Sequence, residues 1–233
     1  MIRVLFLLIL LAWAPTCPAQ VVYLTTDAGA ARFQRAAVGS GSLALFSYVE
    51  SEARQTFCGP ASLAAALNSL GIQRPTPAQL YPYHLLTQDS VFTLENEAVK
   101  SYAAVEHNGL TLDELGKFAA NLGASVEVVH AQDIAIDVLR EKLRSALADT
   151  RKRVVVNYSR IPLEQEGDGH ISPIDAYDTE SYSFLILDVA RYKYPPAWVN
   201  FDQLYAAMLR IDTSSGKSRG VVILSIAGAG STQ

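Results

Sequence analysis

The chain opens on an apolar run, Val4 to Ala14, preceded by one positive charge at Arg3 and followed by Pro and small residues up to Ala19. That order reads as a secretory signal peptide over residues 1–19, and the run is too short for a spanning helix, which needs about 20 apolar residues. Beyond it the hydrophobic pattern becomes helical. Cys58 to Leu70 (CGPASLAAALNSL) is Ala/Leu-rich and stops at Gly71, a residue suited to the left-handed position after a helix. Pro75 and Pro77 are read as opening a further helical stretch. Thr111-Leu112-Asp113-Glu114 is a capping box that starts a helix running to Leu122-Gly123, and another helix is expected over about 134–148. The second half turns to β-branched runs at Ser125–Val129, Arg153–Tyr158, Ile171–Tyr177, Tyr182–Val189 and Gly220–Ile226, with a short amphipathic helix near 200–209. Helices first and strands afterwards predict an α+β fold, its N-terminal helical half packed on a mainly antiparallel sheet in one domain over 20–233. A cleft between the halves is the natural place for a site.

Composition narrows the class. Of 233 residues 50% are hydrophobic and 18% charged, which excludes a disordered or coiled-coil chain. The net charge of −4 leaves no basic field for a phosphate backbone, so nucleic acid is excluded as a partner, and stable membrane insertion is not expected. Only two cysteines are present, Cys17 and Cys58. Ala14-Pro15-Thr16 ahead of Cys17 lacks the pattern that lipid attachment requires, so Cys17 is expected to leave with the signal peptide. Cys58 then remains alone in an oxidising compartment, periplasmic or extracellular, where a solitary thiol is either buried or used.

The neighbourhood of Cys58 favours use. Gln55-Thr56-Phe57-Cys58-Gly59-Pro60 heads an apolar helix, where partial positive charge and free N–H groups favour the thiolate. Gly59 is read as letting a substrate carbonyl approach the backbone, and Pro60 suits a first helical turn. A thiol nucleophile needs a base. Of His84, His107, His130 and His170, the last begins HISPIDAYDTESYSFLILD, in which Asp178 to Ser181 signals a hairpin turn. A loop centred on Thr179 would set His170 directly opposite Asp188, so that the carboxylate fixes the imidazole. The other histidines read as surface or structural groups. No pair of them has metal-ligand spacing, and no metal site is expected.

Two segments then identify a family. Gln55-Thr56-Phe57-Cys58-Gly59 with ASLAAALNSLGI behind it resembles the nucleophile segment of phytochelatin synthases, and Glu166 to Val199 resembles their His-to-Asp region almost throughout. VVNYSR at 155–160 and DTSSGKSRG at 212–220 match as well. The resemblance implies a papain-like fold and a Cys58, His170, Asp188 triad. It also implies attack on the Cys–Gly bond of glutathione, release of glycine, and a γ-glutamylcysteinyl thioester on Cys58. The acyl group would pass to water or to a second glutathione. Plant members carry a further Cys-rich C-terminal region, so the likeness is to the short prokaryotic form, which leans toward hydrolysis. No tightly bound cofactor is implied; a heavy-metal ion of the Cd or Zn class enters as the metal–glutathione thiolate substrate. Glutathione is the expected partner, and a homodimer is admitted.

Within that mechanism the Cys58 N–H would form half of an oxyanion hole. The family's second donor is a Gln six residues before the nucleophile, and here that position is Glu52, with Gln55 as a substitute. Arg160 and Arg191 are candidates for substrate carboxylates. Two other functions stay open: a papain-like peptidase or amidase on other γ-glutamyl peptides, and an exported thiol- or metal–thiolate-binding protein with weakened catalysis.

Overall fold

The computed structural model describes residues 21–36 and 40–226; the leader read over residues 1–19, its cleavage point and Cys17 lie outside the described residues. In chain order the elements are β1 (Val22–Tyr23), α1 (Asp27–Arg35), α2 (Ser40–Tyr48), α3 (Cys58–Leu70), α4 (Leu94–Val99), α5 (Tyr102–Asn108) and α6 (Leu112–Asn121). There follow β2 (Ala124–His130), α7 (Ile136–Ala148), β3 (Lys152–Ser159), β4 (Gly169–Asp178), β5 (Ser183–Ile186), β6 (Ala197–Asn200), α8 (Phe201–Leu209), β7 (Ile211–Asp212), β8 (Lys217–Ser218) and β9 (Gly220–Ile226). The expected α+β class holds. No described helix is long and apolar enough to cross a membrane.

Helix ends follow the local chemistry. Helix α3 ends at Gly71, whose φ of 73° is the left-handed conformation that a side chain would strain. Helix α6 starts with both halves of the capping box: Thr111 accepts from the Glu114 N–H, and Glu114 accepts from the Thr111 N–H. The stretch after Pro75 and Pro77 departs from expectation, holding only a single 3-10 turn at Ala78–Leu80. Each proline pushes the residue before it, Arg74 and Thr76, away from helical backbone angles, so a helix does not propagate there.

One seven-stranded sheet, in the order β1-β6-β5-β4-β3-β9-β2, is antiparallel at every pairing. Its side chains alternate between two cores, as a strand buried on both faces requires. Val155, Val222 and Leu224 face α3 and α6, whereas Val154, Val156, Val221 and Ile223 face α7 and α8. Helices therefore cover both faces, and the first-half helices cover the one that matters for the site. The hydroxyl of Ser62 on α3 donates to the Ile171 carbonyl on β4 at 3.1 Å, fixing the start of the helix against the start of the strand.

Candidate active site

Cys58 is the first residue of α3 and is buried, yet its side chain reaches a cavity of about 240 Å³ that His170 also lines. His170 is the second residue of β4 and pairs with Tyr158 of β3, whose ring meets the imidazole edge-on at 5.8 Å. Its Nε2 lies 2.9 Å from Asp188 Oδ1, so the expected His–Asp contact is present. The register that predicted it is different. The β4–β5 turn occupies residues 179–182, and the ladder starts at Asp178 opposite Ser183. A bulge at Asp175 between Ala176↔Leu185 and Ile174↔Ile186 then takes back one residue of that shift. In the continued register Asp188 is level with Ser172, and His170 sits diagonally from it. An imidazole spans that diagonal. Strand β5 also ends at Ile186, short of the predicted Val189, because the chain leaves the ladder there to bring Asp188 onto His170.

Asp188 is the hub of the support. It accepts from His170, from the Ala190 N–H at 2.8 Å and from Arg160 at 2.8 and 3.0 Å. Burial alone would raise its pKa, but the His170 hydrogen bond and the nearby positive charges outweigh burial and hold it below the usual carboxylate range. Arg160 is thus not a substrate ligand. It is 3% exposed, donates also to Gln165 Oε1 at 2.7 Å, and lies over the Tyr194 ring at 5.0 Å, all of which place it behind the triad. Arg191, the other guanidinium assigned to substrate, is exposed and does not line the cavity. Gly59 also departs from its expected role: an added Cβ would stand 3.0 Å from Leu110 Cδ1, so it permits close packing against Leu110, and it is absent from the cavity wall.

The electrostatics around the sulfur differ from the helix-terminus expectation. Burial, reinforced by the Glu52 charge, pushes the Cys58 thiol up to about 12, and the Ile171 and Gly59 N–H groups offset only part of this. Burial likewise lowers the His170 pKa, against the pull of Asp188. Both shifts favour a neutral thiol beside a neutral imidazole over an ion pair. With Nε2 donating to Asp188, Nδ1 is the nitrogen left to take a proton.

Glu52 stands next to this pair. It is 6% exposed, its Oε1 accepts from the Tyr192 hydroxyl, and its Oε2 has no partner. Burial raises its pKa to about 7, with the Tyr192 hydrogen bond opposing the shift. The ligand atoms of Glu52, Cys58 and His170 all lie within 4.8 Å of one another. These three donor types could hold a metal ion; the spacing of the histidines does not point to the group, because Glu52 and Cys58 are six residues apart but His170 is brought in from more than a hundred residues away. Gln55 is exposed and lines the same cavity.

The cavity also holds a cation that sequence reasoning missed. Arg219 is 6% exposed, donates to Asn157 Oδ1 at 3.1 Å, stands 3.6 Å from Asp168 Oδ2 and leaves Nε without a partner. Asp168 and Asp212 line the same wall. The matching segment 212–220 contains both Asp212 and Arg219, and that was the available signal. Of the remaining histidines, His130 bonds Asp113 and the Ser218 carbonyl, His84 bonds Thr76 and the Arg74 carbonyl, and His107 is exposed.

The sequence model of the family described as phytochelatin synthase matches residues 14–221. The chain belongs to the phytochelatin synthase family. It is 33% identical over 193 residues to glutathione gamma-glutamylcysteinyltransferase 3 of Lotus japonicus, covering 81% of this chain and 39% of that one. It is 34% identical over 185 residues to glutathione gamma-glutamylcysteinyltransferase 2 of Arabidopsis thaliana (79% and 40%). A Schizosaccharomyces pombe relative of the same description is 33% identical over 168 residues (72% and 39%). The chain thus spans about two fifths of the length of these phytochelatin synthase relatives. Among solved structures, Pseudomonas avirulence protein AvrPphB aligns at 10% identity with a TM-score of 0.34, covering 78% of this chain and 100% of that one. At that score the likeness is slight, and the fold assignment stands on the sheet and helices themselves.

Proposed function

We propose that this protein cleaves glutathione at its Cys–Gly bond through a γ-glutamylcysteinyl thioester on Cys58, releasing glycine and passing the acyl group to water or to a second glutathione. The observation that carries the reading is the Cys58–His170–Asp188 cluster at a cavity mouth in a chain of this family. His170 Nδ1 takes the thiol proton as Cys58 Sγ attacks the carbonyl carbon, and the same proton then goes to the departing glycine amine. Asp188, itself held by Arg160, keeps Nε2 donating and stabilises the imidazolium that forms. Among the described residues no acceptor takes the Cys58 N–H, which leaves it for the oxyanion. A γ-glutamyl head carries one carboxylate and one ammonium. Buried Arg219 suits the first, and Asp168 or Asp212 suits the second. The leader read over residues 1–19 supports an exported, periplasmic or secreted, location.

The test is incubation with glutathione, with mass spectrometry of the protein and assay of free glycine. The expected result is a γ-glutamylcysteinyl adduct on Cys58 with glycine released, and neither in Cys58→Ser. An adduct from other γ-glutamyl peptides but not from glutathione would transfer the reading to a general amidase. Glu52 at the oxyanion position favours a second reading, a thiol- or metal–thiolate-binding protein, and absence of any adduct would decide for it.

A further inference from the structure

We propose that Glu52, Cys58 and His170 form a three-ligand site for a borderline-soft divalent cation of the zinc class, and that its occupation withdraws the nucleophile. The three ligand atoms lie within 4.8 Å of one another, and each comes from a different part of the chain: the loop before α3, the start of α3 and the start of β4. Thiolate, imidazole and carboxylate are the donor types that Zn²⁺ takes, and three protein ligands leave a fourth position open toward the cavity.

Independent features point the same way. Glu52 Oε2 is buried without a hydrogen-bond partner, a costly state for a carboxylate unless something else occupies that space. Each of two ligands is also oriented by a second group, as metal ligands are. Asp188 accepts from His170 Nε2, leaving Nδ1 for the cation. Tyr192 donates to Glu52 Oε1, leaving Oε2. A tetrahedral site with arms of about 2.0–2.3 Å has ligand edges of about 3.5 Å, so small side-chain rotations close the cluster onto an ion. The cavity supplies the entry path.

Binding displaces the Cys58 thiol proton to solvent and forms the sulfur–metal bond, with no change of oxidation state. A site of this composition depends on Glu52; the Gln that the family resemblance expects at that position would be a poorer ligand. The inference uses the residues of the proposed triad but does not require them to turn over glutathione.

The experiment uses the reduced full chain without glutathione, titrated with Co²⁺ as a spectroscopic stand-in and then with Zn²⁺ in competition. Expected are a thiolate-to-cobalt charge-transfer band and tetrahedral visible bands saturating at one equivalent, both removed by Zn²⁺. Cys58→Ser abolishes the charge-transfer band. Glu52→Gln keeps the band but weakens binding by at least about tenfold, and Tyr192→Phe weakens it by about 10–100-fold, as loss of an outer-sphere partner does. Absence of the band in the wild type, or unchanged affinity in Glu52→Gln, overturns the proposal. Far-ultraviolet circular dichroism of each variant checks folding, and Tyr192→Phe is the second variant if Glu52→Gln fails that check. The acyl-adduct assay, run separately in chelator, separates the two ideas: a cobalt band without an adduct sinks the hydrolase reading alone, and an adduct without a band sinks the metal site alone.

Discussion

Replacing Asp175 by Asn should change how stability depends on pH. Asp175 is the bulge residue of β4 and is 6% exposed; its Oδ2 accepts from Ser42 Oγ of α2 at 2.5 Å, and its Oδ1 has no partner. Arg153 of β3 is the charged group facing it, and that guanidinium is already committed to Ser69 and to the carbonyls of Thr150 and Lys152. Burial therefore dominates and raises the Asp175 pKa from 3.8 to about 6. The folded state then holds this proton more tightly than the unfolded chain. The stability it lends is fully present below pH 3.8 and is lost as pH rises to about 6, after which the contribution is flat. Two pH units at 1.36 kcal/mol each give about 3 kcal/mol, an order-of-magnitude figure. Asn keeps an oxygen for Ser42 but does not titrate. Urea unfolding of both proteins at pH 4 and pH 7 isolates the effect, because any packing cost of the Asn amide cancels between the two pH values. The wild type should lose about 2.5 kcal/mol more than Asp175→Asn across that interval, because a small part of the contribution is already gone at pH 4. Parallel profiles would mean that Asp175 is solvated or fully paired, and the burial argument would fail.

Three further outcomes are expected. Glu52→Gln, assayed in chelator by single-turnover acylation, should react about tenfold faster or more, because a carboxamide donates at the oxyanion where one donor is worth about 10²–10³ in rate; unchanged or slower acylation puts Glu52 away from the oxyanion. Arg160→Met leaves Asp188 without its buried counter-charge and should cost about 3–5 kcal/mol in urea unfolding, whereas the double variant with Asp188→Asn should cost less than the single one. A value under 1 kcal/mol, as for an exposed pair, would refute the supporting role. Arg219→Ala should raise KM for glutathione by at least about tenfold with a smaller change in kcat, and Arg219→Lys should not restore it, because an ammonium lacks the guanidinium fork. Equal losses in kcat and kcat/KM would assign Arg219 to the transition state instead.

The parts of this molecule legible in the sequence are those governed by nearest neighbours. Helix α3 has the predicted bounds, Cys58 to Leu70, because an Ala/Leu run and a terminal glycine are local facts, and the Thr111–Glu114 box is likewise local. The failures come from distance. Arg160 looked like a free guanidinium because its partners Asp188 and Tyr194 are 28 and 34 residues away. The hairpin argument found the right acid by the wrong register, since neither the four-residue turn nor the Asp175 bulge is written in the residue types around it. Helix-terminus chemistry predicted a thiolate, but burial depth, a tertiary quantity, outweighs it at Cys58.

What makes the site one mechanical unit is that the segments carrying its groups are bonded to each other away from the cavity. The Glu52 N–H donates to the Val189 carbonyl at 2.8 Å, and the Val189 N–H donates to Ser172 Oγ at 3.2 Å. Ser172 Oγ is itself 3.0 Å from His170 Nε2. Glu52, the neighbour of Asp188 and His170 are therefore linked in one chain of hydrogen bonds, while Ser62 holds α3, the helix that Cys58 heads, to the same strand. A shift of β4 by one residue would move His170 to the other face of the sheet and break the bonds that tie β4 to Val189 and to Ser62. The bulge at Asp175 sets that register, so a backbone irregularity remote from the reacting groups decides whether His170 and Asp188 meet. A loop deletion in residues 179–182 that preserves the bulge should leave the His170–Asp188 contact in place, and removal of the bulge should abolish it even with the turn intact.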